Sequence, residues 1–304
     1  MDKEFFNISE QLRIMLIKDM DLPISVIKDP YFAEQFIFLN KQYKTFEKLS
    51  LLRQALKNFE NETELVIFLK TIREEVIDHI ANKEEFKEFE NFNIPQTYVH
   101  LSAKSIYTKE LCNKNLISVD LKKANFNILR THNANLVDNC ADYASFIRQF
   151  TDLNYVITSK KIRQIIFGNL NPKRQQALQL RYVGDLALKL KCHFPQTQII
   201  SSSSDEFICE GVSDKYNEIK DFINNESDFC RVDLFHLEHI KSKKYNIYKK
   251  VFNGFDEIFE LKCCPSPYVI EVLRHIYNEP LGSYDRYFYN DGRLCEYRDS
   301  LFDE

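Results

Sequence analysis

The stretch LISVDLKKANFNILR (residues 116–130) and its counterpart TQIISSSSDEFICEG (residues 197–211) decide how this chain reads. In the first, Leu116 to Val119 form a strand-like apolar run, and Asp120 stands where that run gives way to a helical pattern. In the second, Gln198–Ile200 and Phe207–Cys209 are strand-like, and the serines with Asp205–Glu206 make the polar bend of a hairpin. Two strand ends therefore each deliver a carboxylate. Between them SKKIRQIIFGNLNP (residues 159–172) reads as a helix. Lys160, Arg163 and Phe167 fall at i, i+3 and i+7 on one face, with Ile162, Ile165 and Ile166 on the other.

These residue types suit one chemistry. Magnesium takes hard oxygen ligands, often only one or two protein carboxylates, and completes its octahedron with water and substrate phosphates. Asp120 and Asp205 are the candidate metal ligands. Two such ions side by side activate an attacking hydroxyl and steady a leaving pyrophosphate, while a cationic helix face serves a triphosphate. The plain alternative is two ordinary polar residues at strand ends.

The segments DLKKANFNILR, KKIRQIIFG and SSDEFICE resemble motifs A, B and C of right-hand DNA polymerases, nearest to family A, and they occur in the family's order. The resemblance covers about a third of the chain, each motif alone being a weak signal. It implies catalytic Asp120, Asp205 and Glu206, with two Mg2+ ions, or Mn2+, on the two aspartates. It implies a nucleotide site in which Lys160 and Arg163 neutralise the triphosphate, Phe167 stacks on the base, and Asn125 or Phe126 lies nearest the sugar. Asn125 and Ser204 stand where family A carries Glu and His, which leaves the sugar preference open. Template, primer and nucleoside triphosphates are the implied partners.

Working outward, residues 7–92 are helical almost throughout, broken at Leu22-Pro23 and Asp29-Pro30. Stripes such as Phe36, Leu39, Tyr43 and Phe46, or Leu65, Phe68, Leu69 and Ile72, read as core. EEFKEFE (residues 84–90) reads as a solvated helix face. Thr97 to Leu101 reads as a short strand, Lys173 to Lys191 as a long helix buried at 178, 180, 183, 186 and 190, and Arg231 to Leu237 as a fourth strand. The expected fold is α+β: a helical region over 1–95, a small antiparallel-sheet palm with a short fingers helix over 96–237, and a basic region over 238–304. The last contains Lys241, Lys243, Lys244, Lys249 and Lys250 interleaved with two tyrosines. That patch suits a nucleic-acid backbone, or equally a polar loop before a short strand. The end of the chain, from Ser283, carries no clear pattern.

At 304 residues, with 25 Phe and 16 Tyr, the chain can fill a substantial core. Six glycines leave little room for a phosphate-cradling loop, and no G-x-x-x-x-G-K, G-x-G-x-x-G or G-x-S-x-G occurs. The net charge of −4 counts against a nucleic-acid binder unless the cations are gathered in one place. Eight cysteines without a C-x-x-C pair read as reduced thiols, and zinc is not expected. No apolar run is long enough to span a bilayer, so an intracellular, soluble protein is expected. Two functions follow: a template-directed polymerase, or a non-catalytic nucleic-acid-binding or structural protein of the same shape.

Overall fold

The structure, a computed structural model, describes residues 7–95, 103–253 and 258–302; the strand expected at Thr97 to Leu101 lies outside them. The chain is α+β, with helices dominating the first two thirds and a six-stranded antiparallel sheet built mostly from the last third. Among the described residues no helix is long and apolar enough to cross a membrane.

Five helices come first: α1 (Glu10–Asp19), α2 (Tyr31–Tyr43), α3 (Thr45–Leu56), α4 (Glu62–Ala81) and α5 (Glu84–Asn91). Polar caps start two of them, Ser9 accepting from the Leu12 amide at 3.2 Å and Asn61 from the Glu64 amide at 3.0 Å. Their stripes face inward as periodicity predicts, with Leu12, Leu16, Phe36, Leu39, Leu65 and Leu69 buried. The acidic α5 is amphipathic: its charges are exposed, while Phe86 and Phe89 are buried.

After β1 (Leu116–Leu121) come α6 (Ala124–His132), α7 (Tyr143–Ile147), α8 (Asn154–Thr158), α9 (Lys160–Gly168) and the long α10 (Pro172–His193). Helix α10 begins with Pro172 behind an Asn171 cap. It buries Leu178, Val183, Leu186 and Leu190, but the expected Leu180 is exposed. Then follow β2 (Gln198–Ser202), β3 (Glu206–Glu210), α11 (Tyr216–Glu226), β4 (Cys230–Lys241), β5 (Asn246–Phe252), β6 (Phe259–Lys262) and α12 (Val269–Tyr277). A small hairpin, β7 (Tyr287–Asn290) and β8 (Arg293–Glu296), occupies the patternless end.

The strand order is β2-β3-β1-β4-β5-β6, all neighbours antiparallel. The four expected strands therefore do pair, and two more extend them. Strand β4 runs straight through the boundary expected between 237 and 238, because buried apolar side chains recur along it at Val232, Phe235, Leu237 and Ile240. No break separates the first 95 residues either, since helices α1–α5 share one core with Phe126, Tyr143, Ile166 and Phe167, and with Val251 and Phe259 of the sheet.

Side chains alternate across a strand, which gives the sheet two different faces. Ile117, Val119, Leu121, Phe207 and Val232 pack under α10 and α11, against Val183, Leu190, Ile219 and Ile223. On the opposite face Ile106 covers Leu116, Ile208 and Phe235 at one end. The other end of that face carries Ser118, Asp120, Glu206, Arg231 and Asp233, and there the site opens.

Candidate functional site

Register puts three charges side by side, Glu206 of β3 and Arg231 of β4 both being partners of Asp120 on β1. Like charges directly opposite cost stability in a sheet, and each acid of this row has found a cation. Arg231 Nη2 lies 3.4 Å from Asp120 Oδ2, while its Nε holds Asp233 Oδ2 at 2.8 Å. Glu206 Oε1 accepts from Ser118 Oγ at 2.6 Å and lies 3.5 Å from Lys250 Nζ.

The serine-rich bend positions Asp205. Ser203 closes the turn, its amide donating to the Glu206 carbonyl at 2.8 Å and its hydroxyl to Asp205 Oδ1 at 3.0 Å. The Leu121 amide donates to the Asp205 carbonyl at 2.8 Å, so the hairpin tip is stitched to the end of β1 beside Asp120.

Helix α9 forms the opposite wall. Ser159 caps it, accepting from the Ile162 amide at 3.1 Å and donating to the Asp19 carbonyl at 2.9 Å. One residue group back, the Tyr155 hydroxyl donates to Asp19 Oδ2 at 2.9 Å. Both bonds are buried, and they tie α8 and the start of α9 to α1. Lys160 and Lys161 occupy the first helical turn, where the macrodipole disfavours cations; an anion in front of them reverses that cost.

Asp120, Asp205, Lys160, Arg163 and Asn125 line one open cleft of about 530 Å³. Lys122, Lys123 and Arg231 add to its cations, and Glu260 of β6 is its third carboxylate. The acidic chain thus gathers positive charge in one place, as a phosphate-bearing ligand requires. Burial works to raise the Glu260 pKa, but Lys262, which holds it at 2.8 Å, together with Lys250 and Arg231, lowers it overall. Asn125 Oδ1 accepts from Gln179 Nε2 at 2.6 Å, which fixes the amide at the cleft edge.

Two expected contacts are corrected. Phe167 and Phe126 are both fully buried and meet edge to face, 5.8 Å between centroids, with Tyr143 beside them. Both rings belong to the core and do not line the cleft. On α9 the buried side takes in Ile162, Ile166 and Phe167, whereas Lys160 is exposed and Ile165 half-buried. Arg163, between them, lies over the Tyr143 ring at 5.5 Å.

The five lysines of the basic region do not form one surface. Lys241 is exposed at the end of β4, and Lys243 and Lys244 lie in the tight turn to β5, with Lys244 3.3 Å from Asp299. Lys249 and Lys250 are consecutive on a strand and so point to opposite faces. Lys249 pairs with Glu238 at 3.2 Å, and Lys250 is buried. Arg231 and Glu260 carried no functional reading in the sequence. The signal for Arg231 was its place near the start of the fourth strand, across from the end of β1.

Burial pushes the Asp120 carboxyl up from its ordinary 3.8 to about 6; Arg231 opposes the rise, and Glu206 and Asp205 add to it. Between those two values the folded chain holds a proton that the unfolded chain has released. This group's contribution to stability therefore falls as pH rises through that window. Asp120→Asn removes the charge. Urea unfolding is expected to show the variant close to wild type at about pH 4 and more stable at about pH 8, by up to about 3 kcal/mol. A variant weaker at both pH values would mean that the Arg231 pair outweighs the burial.

In comparisons with known proteins, no family model, no curated protein and no solved structure matches this chain.

Proposed function

We propose that this chain is a template-directed nucleotidyltransferase, a nucleic-acid polymerase of the right-hand kind that works with magnesium or manganese. The observation that carries the reading is the meeting of Asp120, Asp205, Lys160 and Arg163, from three separate elements, in one cleft. In this reading strands β2-β3-β1-β4 are the palm, α9 is the short fingers helix, and α1–α5 form a cap against them.

The residues fit the ion. Mg2+ uses few protein carboxylates and keeps positions for water and phosphate, and the mutual repulsion of Asp120 and Asp205 is what a cation relieves. Asp120 and Asp205 would hold it. When bound, the ion neutralises developing charge and favours the ionised primer hydroxyl. Lys160 and Arg163 take the triphosphate oxygens, and Asn125, braced by Gln179, stands nearest the sugar. Lys241, Lys243 and Lys244 at the β4–β5 turn are the candidates for template or primer phosphates.

The deciding experiment is extension of a primed template with labelled nucleotides and Mg2+ or Mn2+. Product that depends on template and metal supports the reading; none from metal-loaded wild type on primed DNA or RNA overturns it. Within that assay Lys160→Ala is expected to raise the nucleotide KM about tenfold and also lower kcat, since a phosphate cation acts in both ground and transition states. An unchanged KM would remove Lys160 from the nucleotide site.

A second reading, a non-catalytic nucleic-acid-binding protein with the same sheet, draws on the ion pair between Arg231 and Asp120, which offers the carboxylate a partner of its own. Template binding with no turnover is its signature.

A further inference from the structure

Lysine is almost never fully buried without a partner, yet Lys250, within β5, is 5% exposed. Its ammonium lies over the ring of Phe235 at 4.3 Å and that of Phe252 at 5.2 Å, and 3.5 Å from Glu206 Oε1. The same oxygen accepts from Ser118 Oγ at 2.6 Å. Lys262 also faces Glu206 but is committed to Glu260 at 2.8 Å. Glu206 is thus drawn along the sheet between β1 and β5. Among the described residues the acids that line the cleft are Asp120, Asp205 and Glu260, although Glu206 is the direct register partner of Asp120.

We propose that Lys250 is a positioning residue that holds Glu206 down on the sheet, so that a divalent ion in the cleft meets the carboxylates of Asp120 and Asp205 without that of Glu206, Glu260 being engaged by Lys262. The assignment rests on the metal site proposed above. Its purpose follows from coordination chemistry. The affinity of a site for a hard cation grows with its count of charged ligands. A third carboxylate would hold the ion before any nucleotide arrived and occupy a position that a phosphate oxygen needs. With Glu206 held aside, the ion is held weakly by the two aspartates until a triphosphate completes its shell.

The test is Mn2+ binding to the full chain without nucleotide, followed by electron paramagnetic resonance. Lys250→Met frees Glu206 and is expected to tighten Mn2+ binding about tenfold. Lys250→Arg keeps the wild-type Kd, and adding Glu206→Gln to Lys250→Met restores it. A folded Lys250→Met with unchanged Kd overturns the assignment. If Lys250→Met does not fold, Glu206→Gln alone decides, because its amide oxygen still accepts from Ser118 and Lys250. Unchanged Mn2+ binding is the expected result, and a tenfold loss makes Glu206 a ligand and overturns the role of Lys250. Wild type that binds no Mn2+ overturns the metal site and this assignment together. Binding lost in both Asp205→Ala and Glu206→Gln keeps the metal site and overturns only the assignment.

Discussion

Nucleotide incorporation by Asp205→Ala is expected to fall about 10³-fold in kcat with template affinity nearly unchanged, because a carboxylate that meets charge developing in the transition state contributes little to the ground state. The structure makes this a clean substitution. Asp205 is half-buried at a hairpin tip, and its carboxylate accepts from the Ser203 hydroxyl. The turn itself is held by the Ser203 amide and the Leu121 amide, both bonded to backbone carbonyls that alanine keeps. The variant should therefore melt with wild type, so that lost turnover reports chemistry. Asp205→Asn is the companion: it keeps the shape and loses the charge, and should be almost as inactive. Full activity in either variant would end the polymerase reading.

Phe167→Ala should have its effect on the fold. Phe167 is fully enclosed by Phe126, Tyr143 and the α9 neighbours Ile162 and Ile166, and truncating such a ring to alanine typically costs about 3–5 kcal/mol. The loss should appear as an unfolding midpoint shifted to lower urea with an unchanged slope. A stacking role makes the opposite forecast, with stability intact and nucleotide KM raised. Measuring both on one preparation separates them, and a stable Phe167→Ala would contradict the packing.

Strands β1 and β3 were legible because each is a short apolar run stopped by a charge, and helix α9 because isoleucines recur at helical spacing. The meeting of their polar ends followed from a pairing rule that local pattern already suggested. What was not legible is how burial changes along an element. Lys160 and Phe167 share a face of α9 in sequence, but only the structure shows that the first is exposed and the second buried. Lys249 and Lys250 look like one patch until β5 is known to be a strand, after which the two must part. Between strands β7 and β8, Asp291-Gly292 takes positive φ at both residues (48° and 75°), the conformation of a two-residue hairpin turn, and Asp-Gly is the sequence signal for it. Arg231 could be placed beside Asp120 only through register, which no single strand contains.

The bonds from Ser159 and Tyr155 to Asp19 have a kinetic meaning. In the polymerase reading proposed above, a fingers helix that closes on a nucleotide needs a hinge, whereas Tyr155 of α8 and the Ser159 cap of α9 are both held to α1 by buried hydrogen bonds to Asp19. Helix α9 also shares its packing with α4. In that reading, narrowing of the cleft around a nucleotide is expected as a displacement of the helical body against the sheet, a collective motion of the microsecond-to-millisecond class, and not as a local movement of α9 alone.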